Sequence, residues 1–109
     1  MRLVDLSPNW LYKGGQRVGF IFICPTKPDQ SQTCFSVAMR MSEQVKVIDE
    51  NFEEGFYETY AHDIQLCDKN CAWSITGEFE NLTVTPSLDG SAGGNWHGFI
   101  TDGNIIGGL

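Results

Sequence analysis

The chain has 109 residues, 41% of them hydrophobic and 19% charged, a length that fits one domain spanning 1–109, because two cores would each be too small to stand alone. Seven Lys and Arg stand against fourteen Asp and Glu, a formal net charge of -7, which excludes the cationic footprint that nucleic-acid binding requires. The longest apolar stretch, Val18 to Cys24, falls far short of the ~20 residues that cross a bilayer, and Met1-Arg2 leads into no apolar signal segment, so a cytoplasmic protein without membrane contact is expected.

Turn signals are dense along the chain. They fall at Lys13-Gly14-Gly15, Pro25 to Gln32, Asp89-Gly90, Gly93-Gly94, Asp102-Gly103 and Gly107-Gly108. Clustered glycines argue against long helices. The expected fold is therefore mainly β: a small single-domain curved sheet or open barrel with glycine-rich turns and little helix. Expected strands, in order, are Arg2 to Leu6, Gln16 to Cys24, Cys34 to Met41, Gln44 to Asp49, Cys71 to Thr76, Asn81 to Thr85, Trp96 to Thr101 and Asn104 to Ile106. Asp102-Gly103 predicts a two-residue hairpin, because both turn positions tolerate positive φ. Glu50 to Cys67 fits either a helix or a loop with a short strand. Its aromatics, Phe52, Phe56, Tyr57 and Tyr60, are assigned to the core ahead of an exposed binding surface.

Four cysteines, Cys24, Cys34, Cys67 and Cys71, lack the oxidising context that disulfides need. A structural zinc held by these four is one reading, although only Cys67-x3-Cys71 has ligand-like spacing. Four reduced thiols, some in the core, are the other.

The period of two carries the chemistry. Thr83, Thr85 and Ser87 fall on one face of their strand, and His97, Phe99 and Thr101 on one face of theirs. Ser87 stands where a strand enters the Gly-rich loop from Asp89 to Gly94, and His97 stands where the chain re-enters the sheet. The short connection can bring both to one sheet edge. A serine nucleophile needs a base to take its proton, and the base needs an acid to hold its tautomer. Glu80, Asp89 and Asp102 are candidate acids. Backbone N–H groups of Leu88, Gly93 and Gly94 are candidate oxyanion-hole donors. The alternative is that Ser87 follows a proline in an ordinary turn and His97 is a structural strand residue.

The C-terminal third carries Trp73-Ser74-Ile75-Thr76-Gly77-Glu78-Phe79-Glu80 and Thr83-Val84-Thr85-Pro86-Ser87-Leu88, then His97-Gly98-Phe99-Ile100-Thr101-Asp102-Gly103-Asn104-Ile105. This string resembles the small phage and bacterial proteins described as BubE-like serine peptidases of bacterial ubiquitin-like operons. The resemblance implies a compact β-rich domain that cleaves a protein or a ubiquitin-like C-terminal tail in the cytoplasm of a bacterium or a phage-infected host. It makes Ser87 the nucleophile, His97 the general base and Glu80 the orienting acid. It implies no cofactor for catalysis and allows a structural zinc. Relatives often carry C-P-x-C where this chain has Cys24-Pro25-Thr26-Lys27, and often a Cys or His just before the catalytic His, where this chain has Asn95-Trp96. A non-catalytic phage or bacterial module that binds a partner protein is the alternative function.

Overall fold

A computed structural model describes residues 1–37, 39, 42–48, 53–59, 73–89 and 95–108. The chain is mainly β, as its glycine and turn pattern predicts, with no α-helix among the described residues. Among the described residues, nine strands form two antiparallel sheets. The first holds β1 (Asn9–Lys13), β2 (Gln16–Cys24), β3 (Lys27–Phe35), β4 (Gln44–Ile48) and β5 (Glu54–Glu58), in the order β3-β2-β1-β4-β5. The second is curled and holds β6 (Ser74–Thr76), β7 (Thr83–Asp89), β8 (His97–Thr101) and β9 (Asn104–Ile106), in sequence order.

Several strands differ from the sequence-based expectation, each for a local reason. Leu3–Leu6 is a 3-10 turn instead of a strand. Its i, i+3 spacing brings Leu3 and Leu6 to one side, where both are buried. The Arg2 backbone N–H donates to Asp5 Oδ2 at 3.2 Å. β1 was not expected, yet the Gly14-Gly15 turn joins it to β2 with Lys13 opposite Gln16. β3 occupies Lys27–Phe35, where turn residues suggested a loop; of the strand expected from Cys34 to Met41, Cys34 and Phe35 end β3, Ser36 and Val37 are in no strand, and residues 38, 40 and 41 lie outside the described residues. β3 is an edge strand. Such strands tolerate proline and polar residues, because one row of their backbone groups stays unpaired. Within the ambiguous segment, Glu54–Glu58 forms a strand. Phe56 on it is 70% exposed, so the core assignment fails there, while Tyr57 packs on the core. Phe52 and Tyr60 lie outside the described residues.

The expected hairpin is present. Thr101 pairs with Asn104, and Asp102 and Gly103 have φ of 48° and 75°, the two left-handed positions a type I′ turn requires. Thr83 Oγ1 accepts the Asp102 backbone N–H at 3.0 Å, and Leu82 O accepts that of Gly103 at 2.8 Å, tying the start of β7 to this turn.

The main core lies between the sheets. Phe20, Phe22 and Cys24 of β2 meet Val84 and Leu88 of β7, Trp96, Ile100 of β8 and Ile105 of β9. A second cluster of Leu11, Val18, Phe35, Met39 and Val45 covers part of the five-stranded sheet. A stack at the periphery joins the sheets: the Trp10 ring lies 4.3 Å from Phe79 at 16°, with the Arg17 guanidinium 4.2 Å from the same ring.

Gly98 shows how tightly the sheets close. A Cβ there would lie 2.4 Å from Trp96 Cζ2 and 2.6 Å from Ile106 O. Neither the buried indole nor the strand backbone can yield cheaply. Gly98→Ala is expected to lower stability by about 1–3 kcal/mol, the range for overpacking, read as a fall in the urea midpoint. A midpoint equal to wild type would show that the indole can move aside.

Candidate active site

The ladder between β7 and β8 positions the two residues on which the chemistry would turn. Val84 pairs with Ile100, whereas Leu88 pairs with Gly98 and Asp89 with His97. Three residues of β7, Thr85 to Ser87, therefore lie opposite Phe99 alone. This irregularity bulges β7, and a bulge re-aims the side chains it carries. The Thr85–Pro86 peptide within it is cis. Beyond the bulge Leu88 is buried, so alternation turns Ser87 outward. His97 is exposed and Ser87 half-buried.

Ser87 and His97 thus share the outer face of neighbouring strands. With Asp89 opposite His97, Ser87 stands two residues before that pair, at the end of the bulge and diagonal to His97 across the ladder. Their backbones are held from inside. The Trp73 indole N–H donates to Ser87 O at 2.9 Å. Ahead of His97, the Trp96 indole N–H donates to Gly107 O at 2.7 Å, and Gln32 Nε2 donates to Trp96 O at 3.0 Å.

The candidate acids are distributed unequally. Asp89 is the direct cross-strand partner of His97. Asp102 is occupied as the first residue of the β8–β9 turn. Glu80, the acid that the resemblance implies, lies elsewhere in the ladder's surroundings. It is exposed in the turn between β6 and β7, its carbonyl accepts from the Arg2 guanidinium, and Gly103 packs against that carbonyl. This turn is at the Thr101 end of β8, about 13 Å from His97 at about 3.3 Å per strand residue. Asp89 is thus the candidate acid that the ladder places opposite His97. Among the oxyanion candidates, Leu88 sits in the ladder opposite Gly98, while Gly93 and Gly94 lie outside the described residues.

The cysteines do not form one cluster among the described residues. Cys24 and Cys34 are both buried with free thiols. Cys34 pairs with Phe20, four residues along β2 from Cys24, or about 13 Å. That is too far for two sulfurs each ~2.3 Å from one ion, so Cys34 does not complete a zinc site with Cys24. No group of three His, Cys, Asp or Glu able to hold a metal occurs among the described residues. Cys67 and Cys71 lie outside the described residues. Cys24 has another environment: Thr26 Oγ1 is 3.4 Å from its sulfur. Burial pushes its thiol up. The Thr26 hydroxyl and the backbone N–H groups of Thr26, Trp96 and Lys27 outweigh that and hold it below the ordinary value.

Sequence reasoning missed Gln32, Trp73 and Trp96 as supports of the site. Trp73 stands in the quoted motif, but nothing in a run of polar residues distinguishes Gln32. Residues 58–106 match the family model described as "Bacterial ubiquitination-like system serine protease (BubE)", a span that includes Ser87, His97, Glu80 and Asp89. Comparison with curated proteins and with solved structures found no match. No helix among the described residues is long and apolar enough to cross a membrane.

The Cys24 environment has a pH signature. Its folded-state pKa is depressed, so between the folded and unfolded values the unfolded chain binds more protons, and stability rises with pH. The gain is complete above the unfolded thiol value of about 8.5 and is lost as pH falls through the folded one. The difference in urea midpoint between wild type and Cys24→Ala should widen as pH is raised from about 6 to about 9. A constant difference would show that the sulfur is not held as a thiolate acceptor.

Proposed function

We propose that this protein is a small serine peptidase that cleaves a protein or ubiquitin-like C-terminal tail, with Ser87 as nucleophile and His97 as general base. The observation that carries this reading is the diagonal placement of Ser87 and His97 on one exposed face, inside the span that matches the BubE model. Serine attack requires removal of the Oγ proton, and a neighbouring imidazole is the group best suited to take it near neutral pH. His97 then becomes imidazolium, which a carboxylate on its other side stabilises. The register supports Asp89 in that role ahead of Glu80. The proton passes from His97 to the leaving amine, and water then repeats the cycle on the acyl-enzyme. The oxyanion would be met by backbone N–H groups next to Ser87, each worth about 3 kcal/mol in such sites. His97 and Phe99 are exposed on this face, so the substrate would be an extended segment lying across it.

A second reading, a protein-binding module without chemistry, is favoured by one observation. Phe56 is 70% exposed on β5, at the free edge of the larger sheet, and exposed aromatics are common interface anchors.

Fluorophosphonate labelling separates the two. Wild type should be labelled at Ser87, and Ser87→Ala should not be labelled. Ser87→Ala and His97→Ala should each remove nearly all peptide hydrolysis, and the double variant should be little worse, as expected of residues acting as a unit. Asp89→Asn should lose on the order of 10³- to 10⁴-fold in kcat, whereas Glu80→Gln should stay near wild type. Hydrolysis retained by folded Ser87→Ala would refute the nucleophile. An unlabelled wild type would favour the binding module.

A further inference from the structure

We propose that Gln32 is a positioning residue for His97, acting with Cys24 through the backbone of Trp96. The inference rests on the reading of His97 as the base only where activity is measured, because its structural content stands alone.

Gln32 is an unusual residue for its place. It projects from β3 into the space between the sheets, beside Phe22, its partner in the ladder, and is 6% exposed. Burying a primary amide there is costly unless its polar atoms are used. Its Oε1 is buried with no hydrogen-bond partner among the described residues. Its Nε2 goes to Trp96 O at 3.0 Å. That carbonyl belongs to the peptide unit whose nitrogen is His97 N. Holding the oxygen holds the plane from which the His97 backbone departs, and with it the direction of the His97 side chain.

The opposite side of Trp96 is held too. Its backbone N–H faces the Cys24 sulfur, its indole N–H is bound by Gly107 O at 2.7 Å, and its ring stands edge-on to Phe22, with centroids 6.4 Å apart at 85°. Two residues of the larger sheet, Gln32 and Cys24, therefore grip the residue before His97 by its carbonyl and its N–H. The grip has a physical purpose. His97 is the first residue of β8, and strand ends open most readily. A base must also be held closely, since a misplacement of about 1 Å can cost about 10²-fold in rate.

Gln32→Met tests this, because it keeps the length and removes the donor together with the unpartnered oxygen. In Gln32→Met, amide exchange at His97 should accelerate at least about tenfold relative to amides of β2, and the His97 ring resonances should shift or broaden. Peptide hydrolysis should fall about 10- to 100-fold in kcat with KM within about twofold. Cys24→Ala should show the same signature more weakly, and Cys24→Ser, whose hydroxyl still accepts, should restore much of it. If Gln32→Met does not fold, the Cys24→Ala and Cys24→Ser pair decides the question. Unchanged exchange and ring resonances at His97 would overturn the proposal. So would their change in wild type on treatment with a metal chelator, since that would assign the grip to an ion. If wild type hydrolyses nothing, the peptidase reading fails, and the exchange and ring signals still decide this one.

Discussion

The packing of Trp96 into the aromatic face of β2 is the contact on which the rest of the structure depends. The four-stranded sheet turns an apolar face inward, and no α-helix among the described residues covers it. Phe20, Phe22 and Cys24 of β2, with Cys34 of β3 and Leu3 and Leu6 of the 3-10 turn, remove it from water. Trp96 is the largest side chain in that interface, 1% exposed. Its size dictates what stands around it: Gly98 must lack a side chain, because the indole occupies its Cβ position, and the chain end must return so that Gly107 can accept the indole N–H. Aromatic pairs of this kind add about 0.5–1.5 kcal/mol each beyond burial. Here their greater effect is geometric, since they set where β8 begins.

That placement links core to surface. Because Trp96 points in, His97 points out. Leu88 and Ser87 stand in the same relation on β7, and the bulge from Thr85 to Ser87 brings an outward serine beside an outward histidine. The indole of Trp73 holds the serine's carbonyl and the side chain of Gln32 holds the carbonyl before the histidine. Ser87 and His97 are thus each flanked by a side-chain hydrogen bond to a backbone carbonyl, an arrangement by which a scaffold holds residues of its surface in place.

Charge plays a smaller part. The ion pairs Lys13–Glu43, Arg17–Glu78 and Lys46–Glu54 all have a solvent-exposed member, and pairs of that kind contribute about 0–1 kcal/mol. Arg17 contributes more through its position over Trp10 than through its charge partner, because it completes a stack that closes one end of the interface between the sheets. The net charge of -7 therefore bears on partners more than on the fold.

The sequence by itself determined the local features. Clustered glycines specified a β protein, Asp102-Gly103 specified its hairpin through left-handed φ, and β2, β4, β8 and β9 were legible because apolar residues dominate or alternate along them. That Ser87 and His97 flank a single short connection was legible too. Which acidic residue pairs with His97 was not: Glu80 lies in the turn before β7, and only the register of β7 on β8 makes Asp89 the ladder partner of His97. β3 was hidden because an edge strand needs no apolar alternation to stay in place, and Gln32 was hidden with it among polar neighbours. How far Cys34 lies from Cys24 was hidden until the β2–β3 register paired Cys34 with Phe20, four strand positions from Cys24. Local propensity acts over a few residues and can be read directly. Pairing register and packing between sheets are settled by contacts distant in sequence, and here those contacts decide which residues meet.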